Sequence, residues 1–362
     1  MSFEPFFRSS GPRMMKPAAF RVLLTLAVAF IGLASSVRAQ FAYVPCWADN
    51  TLWGYSIGSN GALTPVPGSP YPVGFEPTSV AVDQNKFVYL VSGNPDFKIM
   101  AFSIGSDGAL STVPGASLPA GSSPFSLTVD PPGRFLFAPI GTAIYVYSIG
   151  SNGALTEVKG SPFNFEADHL AVEPSGTYAF STYLPARSSR TIRVYKIEST
   201  GKLTALENYP TTKNAGALVV DPKGHFLYWV AYRCVTGNRI TSTGGLKSIT
   251  GSPYFESGDP TTIVVDRTGK FVYVTNQDNN TVSGYQIVSG GKLKPVPNSP
   301  FAVPGIPDGA ATDPTGQFLY VTNYSAATVS GYVIGSNGVV TAMAGSPFTS
   351  GNYPGSIAIT SE

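Results

Sequence analysis

The sequence predicts an all-β chain closed into a seven-bladed β-propeller, with four-stranded blades and the ring completed by the C-terminal strand in the first blade. Three observations carry this. One phrase recurs seven times, and its opening aromatic falls at Phe41, Phe87, Phe135, Tyr178, Phe226, Phe271 and Phe318, at spacings of 46, 48, 43, 48, 45 and 47 residues. A period of about 40–50 residues with room for about four strands per unit is that of a propeller blade. Every unit is punctuated by turn chemistry, and only 12% of residues are charged against 39 Gly and 31 Pro. That balance suits sheets stacked face to face and joined by many turns.

The first 40 residues stand outside the repeat. Arg8, Arg13, Lys16 and Arg21 precede an apolar run from Val22 to Ala34, followed by Val37-Arg38-Ala39. This is the pattern of a secretory signal peptide, with cleavage expected after Ala39. The apolar run falls short of the ~20 residues that span a bilayer, so no stable membrane anchor is expected. Residues 1–39 are therefore assigned as leader and 40–362 as one propeller domain, secreted or periplasmic. The leader holds five of the 23 basic and one of the 21 acidic residues, which leaves 18 and 20 and a net charge of −2. With no basic run in the mature chain, nucleic acid is excluded as a partner.

Within a unit each strand has its reason, as residues 260–291 show. Ile263-Val264-Val265 is β-branched and suits a pleated, buried inner strand. Asp266-Arg-Thr-Gly269 turns the chain, as do Asp130-Pro-Pro-Gly133, Glu173-Pro-Ser-Gly176, Asp221-Pro-Lys-Gly224 and Asp313-Pro-Thr-Gly316. Pro presets φ and Gly accepts a positive φ. Phe271 to Thr275 forms the second strand and Thr281 to Ile287 the third. Gly58-Ser-Asn-Gly61, Gly105-Ser-Asp-Gly108 and Gly150-Ser-Asn-Gly153 lead as hairpins into a short fourth strand such as Leu63-Thr-Pro-Val66. Its Pro demands an edge position, hence the outermost place in a blade. Phe41-Ala-Tyr-Val44 reads as a second strand and Ser356 to Thr360 as a first, so the two ends should meet in one blade and remove an open edge. Cys46 and Cys234 fall in the first and fifth units, which are not neighbours in the ring, so no disulfide between them is expected.

This topology puts two loop types on one rim: those entering each first strand and those joining second to third strands. The other rim carries the tight turns, including His225. Aligned on the closing acid of each first strand, or its equivalent Thr360 in the last, the residues four positions earlier are Ser79, Ser126, His169, Ala217, Thr262, Gly309 and Ser356; one further back stand Thr78, Phe125, Asp168, Gly216, Thr261, Asp308 and Gly355. Small and hydroxyl residues are the rule near the channel, and Asp168, His169 and Asp308 break it. The next loop of the same unit brings Tyr183, Arg187 and Arg190, and the following unit brings Tyr232 and Arg233. Such a set binds a carboxylate or phosphate through Arg and moves a proton through His. The same residues also read as solvated loop arginines and a histidine bonded to a neighbouring blade. Asn276 to Asn280 offers hard oxygen ligands, but one loop is too few for calcium. No metal site or cofactor is expected.

Phe271-Val-Tyr-Val-Thr-Asn276 and Phe318-Leu-Tyr-Val-Thr-Asn323 resemble the YVTN β-propeller repeats. The longer unit, through Thr-Val-Ser-Gly-Tyr, Leu-Thr-Pro-Val and Gly-Ser-Pro-Phe, is similar to the seven-bladed lactonase family, which includes propeller-type 6-phosphogluconolactonases and fungal carboxymuconate cycloisomerases. The resemblance covers nearly all of residues 41–361. It implies an active-site His near the start of one first strand, in a P-H-x-H-x-V-x-x-D-P-x-G stretch. Here that stretch is Ala167 to Gly176: the family His falls at Asp168, and His169 is one residue later. The family's D-L-G-x-D stretch is replaced by Leu184-Pro-Ala-Arg187.

Two functions remain. The chain acts outside the cytoplasm as a monomeric module binding a small molecule, glycan or protein on its variable rim. Alternatively it hydrolyses a sugar or related lactone, with His169 as general base, Asp168 orienting it, and Arg187 or Arg190 holding the substrate's acid group, beside Arg233, Tyr232 and Asp308.

Overall fold

The computed structural model describes residues 39–83, 86–92, 98–113, 118–119, 126–183, 191–211, 213–256 and 258–361. Residues 1–38, all but the last residue of the expected leader, lie outside them. Among the described residues no helix is long and apolar enough to cross a membrane.

Seven antiparallel sheets follow one another along the chain, each in the order inner, second, third, outer strand. In the sixth blade these are Pro260–Val265, Phe271–Asn276, Thr281–Ile287 and Leu293–Pro295. The first blade is assembled from both ends of the chain. Its second strand, Gln40–Cys46, pairs on one side with Thr51–Ile57 and on the other with the C-terminal inner strand Ala358–Ile359. Thr360 tightens the closure: Phe41 N–H donates to its Oγ1 at 2.9 Å, and its own N–H returns a bond to Phe41 O at 2.9 Å. The predicted seven-bladed ring, with its closure in the first blade, is the observed fold.

The repeated letters become rivets between blades. Each opening aromatic packs on a positive-φ glycine in the third-to-outer hairpin of the next blade. A Cβ on Gly153 would lie 2.4 Å from Phe87, on Gly338 2.5 Å from Phe271, and on Gly61 2.6 Å from Phe318. In five blades the residue two places later is a tyrosine that donates its hydroxyl to the same glycine's carbonyl, as Tyr43 to Gly108 at 2.8 Å, Tyr273 to Gly338 at 2.9 Å, and Tyr320 to Gly61 at 2.6 Å; the third and fourth blades carry Phe137 and Phe180. The last of these joins the seventh blade to the first. Apolar clusters accordingly form at seams rather than within blades. One cluster joins Phe271 and Tyr273 to Leu319 and Tyr332, and another joins Phe318 and Tyr320 to Ala42 and Tyr55.

Gly153→Ala should therefore lose about 2–4 kcal/mol, from a left-handed backbone and an overpacked seam. Gly74→Ala has the same positive φ and open space around it, and should lose about 1 kcal/mol. Denaturant unfolding of the two variants checks this, and equal losses would remove the packing argument.

The closing acids and the Gly-Ser-Pro phrase also have local duties. Asp266 Oδ1 accepts the N–H groups of Lys270 at 2.7 Å and Phe271 at 2.6 Å, which starts the second strand. In five blades the outer strand is split along the third strand, as in Leu63–Pro65 followed by Tyr71–Pro72. Between the two pieces, the serine before proline accepts the third-strand N–H that the gap leaves free: Gly54 N to Ser69 Oγ at 3.0 Å, and Gly331 N to Ser346 Oγ at 3.0 Å. The fourth blade instead has one continuous outer strand, Leu203–Pro210, bulged opposite Val194 and Tyr195. Cys46 and Cys234 are buried free thiols, in agreement with their separation in the ring. Asn323, which closes the second strand of the seventh blade, is buried, with its amide on Thr328 and Ser330.

Candidate functional site: a polar chamber at one end of the channel

The inner strands surround a central channel. All seven residues at the aligned position, Ser79, Ser126, His169, Ala217, Thr262, Gly309 and Ser356, line one chamber of about 330 Å³. Thr78, Thr261 and Asp308, from the position before, join them. Several hydroxyls here bind the seams. Ser79 Oγ accepts Leu127 N–H at 3.1 Å, Ser356 Oγ accepts Val80 N–H at 3.1 Å, and Ser126 Oγ donates to Asp168 O at 3.0 Å. Ser79 and Ser356 accept in these bonds, so each keeps a proton to offer a guest. Thr78 Oγ1 is buried with no protein partner.

His169 opens the inner strand His169–Val172 of the fourth blade. It is half-buried by surface, yet the ring of strands surrounds it. That burial pushes its imidazole down to about 4, so it is neutral at pH 7 and can accept a proton or a hydrogen bond. Burial pushes the Asp308 carboxyl in the opposite direction, up from the usual carboxylate range. Among the described lining residues there is no Lys or Arg, and these two are the titratable groups. No cluster of three or more His, Cys, Asp or Glu among the described residues could hold a metal.

The other predicted residues do not gather here. Asp168 is 5% exposed and does not line the chamber. Successive strand residues point to opposite faces. Its carboxylate lies beside the loop of the third blade, with Oδ1 3.8 Å from where a Gly141 Cβ would stand. Tyr232 and Arg233 form the two-residue turn between Ala231 and Cys234 at the rim of the fifth blade, with Arg233 at φ 56°. There Lys213 Nζ donates to Tyr232 O at 3.2 Å. Arg187 and Arg190 lie outside the described residues. His225 is exposed on the opposite rim, as its turn position implied.

Sequence reasoning missed one buried acid. Glu256 takes the place that Val73 and Val303 occupy in other blades, and its carboxylate accepts Ser283 Oγ and Tyr285 Oη, each at 2.6 Å. Burial raises its pKa against those bonds. The signal was an acid where the repeat has an aliphatic residue. Beyond the polar chamber the channel becomes apolar, lined by Val172, Val219, Val265 and Ile359. Arg267 stands at its mouth where other turns carry proline.

With fold and chamber described, the likeness to known proteins can be placed. The family model described as "Lactonase, 7-bladed beta-propeller" matches residues 176–296 and 236–354. This chain is a lactonase-family propeller. Among solved structures, a putative 6-phosphogluconolactonase from Bacteroides fragilis superposes on the lactonase-family propeller with a TM-score of 0.74 at 18% identity, covering 90% of this chain and 99% of the other. The periplasmic gluconolactonase of Pseudomonas aeruginosa gives 0.74 at 17% identity, covering 89% and 99%. At these identities the likeness is one of fold. No functionally curated protein matches the sequence.

Proposed function

We propose that this lactonase-family propeller hydrolyses a sugar or related lactone in the polar chamber, with His169 as general base. The observation that carries the reading is a neutral imidazole facing a polar chamber, where Asp308 is the other titratable group among the described lining residues. His169 takes a proton from water as the water oxygen adds to the lactone carbonyl. The C–O bond to the ring oxygen then breaks, and that oxygen takes the proton back from the imidazolium, giving the open hydroxy acid. The hydroxyls of Ser79, Thr262 and Ser356 bind the substrate's oxygens. Arg187 or Arg190 would hold an acid group on a substrate that carries one. The similarity to a putative 6-phosphogluconolactonase and a gluconolactonase supports the substrate class.

Base uptake at constant pH by residues 40–362, on a panel of sugar and aliphatic lactones, tests this. Turnover above background is expected. A cooperatively folded protein without turnover would favour the second reading, a module that binds a small molecule, glycan or protein on the same rim. One observation favours that second reading: among the described residues no hydrogen-bonded side chain orients the His169 ring. Removal of residues 1–39 and export are part of the same proposal, and they rest on the basic, apolar and small-residue order of the leader. N-terminal sequencing of the protein recovered outside the cytoplasm should begin at Gln40; a retained leader would contradict it.

A further inference from the structure

Where the first and seventh blades meet, three aromatic rings from distant parts of the chain form a row on the variable rim. Trp47 and Tyr324 sit in the second-to-third strand turns of the first and seventh blades. Tyr353 sits in the segment entering the closing strand. The Tyr324 and Tyr353 rings stack at 4.6 Å and 13°, and Trp47 lies 6.0 Å from Tyr353 at 38°. Trp47 N–H donates to Tyr353 O at 3.2 Å. Trp47 remains 38% and Tyr353 40% exposed, and Ile306, whose carbonyl accepts Tyr324 N–H, is 41% exposed.

The turns do not need these rings. The sixth blade builds the corresponding turn, Asn276 to Thr281, with Gln277 where the first and seventh carry Trp47 and Tyr324. Tyr353 is held at φ 54°, a conformation that costs a bulky residue roughly 1–3 kcal/mol and marks functional surfaces. Beside the row, Asp49 and Asn352 form an exposed planar pair: Asp49 Oδ2 accepts Asn352 N–H at 2.6 Å and Oδ1 accepts Nδ2–H at 2.9 Å.

We infer that this aromatic row is a binding ledge for a neutral oligosaccharide. A pyranose presents an apolar C–H face, which matches exposed rings, and edge hydroxyls, which match a planar carboxylate and amide. The charged side chain beside the row, Asp49, is an acid, so the ledge disfavours phosphates, nucleic acid and anionic lipid. Three rings also fall well short of the ~1,000 Å² that a specific protein interface buries. The inference does not depend on hydrolysis in the chamber.

The test titrates residues 40–362 with cellohexaose, maltohexaose and chitohexaose. Calorimetry is read alongside iodide quenching of tryptophan; of the three, Trp47 is exposed, Trp53 half-buried and Trp229 buried. At least one hexasaccharide should bind and shield Trp47 from iodide. Trp47→Ala and Tyr353→Ala should each weaken binding at least tenfold, while Phe255→Ala, an exposed aromatic on the fifth blade, should leave it unchanged. If either ledge variant fails to fold, shielding in the unaltered protein decides alone. No binding by any hexasaccharide, binding that both ledge variants retain, or sedimentation with phosphatidylcholine vesicles in place of saccharide binding would overturn the inference.

Discussion

Deleting residues 355–362 lowers the melting temperature by about 10 °C or more, or abolishes the cooperative transition. The segment is short, but it supplies the inner strand of the first blade. Its loss removes the pairing of Ala358 and Ile359 with Tyr43 and Ala42, and both bonds between Phe41 and Thr360. It also takes Ile357 from the cluster between the seventh and first blades, and the Ser356 hydroxyl from Val80 N–H. Burying two isoleucines is worth about 3–6 kcal/mol, and roughly 5 kcal/mol moves the midpoint of a domain this large by about 10 °C. A bare edge on the 40–46 strand would also invite association. Scanning calorimetry of the truncated chain measures the effect, and an unchanged midpoint would contradict ring closure as a source of stability.

His169→Ala lowers lactone turnover by at least 100-fold and leaves the fold intact. General-base catalysis contributes about 10²–10⁴ in rate, and His169 is the one imidazole among the described lining residues. The side chain faces the channel rather than a seam, so its removal should move stability by less than about 1 kcal/mol. Steady-state rates and the melting temperature of the variant, measured together, separate a lost base from a lost fold. Turnover within tenfold of the original with an unaltered fold would remove His169 from the mechanism.

What the sequence disclosed, and what it withheld, follows from where each signal is written. The rivets were legible because an opening aromatic recurs in all seven units and a tyrosine two places later, like Tyr89 after Phe87, in five of them, although which blade each aromatic touches was not. The chamber lining was legible because the closing acid of each turn pins the register of the inner strand before it. Counting back four positions from it reached Ser79, His169, Thr262 and Ser356 together. Asp168 was expected to orient His169 as its chain neighbour, and the alternation of a strand sends it instead toward Gly141. Tyr232 and Arg233 stand in the second-to-third strand turn of the fifth blade, the rim position expected of them. The serine of Gly-Ser-Pro was visible as a repeat without a role, because the N–H it satisfies belongs to a strand 15 residues earlier. The aromatic row was not legible at all. Trp47, Tyr324 and Tyr353 share no local pattern and meet only when the ring closes.

The most direct test of the chamber as a catalytic site is the pH dependence of kcat/KM, from pH 3 to 8, on the lactone turned over best. The working form of His169 is the neutral imidazole. Its pKa is pushed down to about 4 by burial, so activity should rise as pH climbs through about 4 and be level from about 5 upward. An ordinary histidine would place that limb near 6.5. An acid limb near 4 that disappears in His169→Ala is the predicted result. A limb near 6.5, or one that His169→Ala leaves in place, would contradict the assignment of the base.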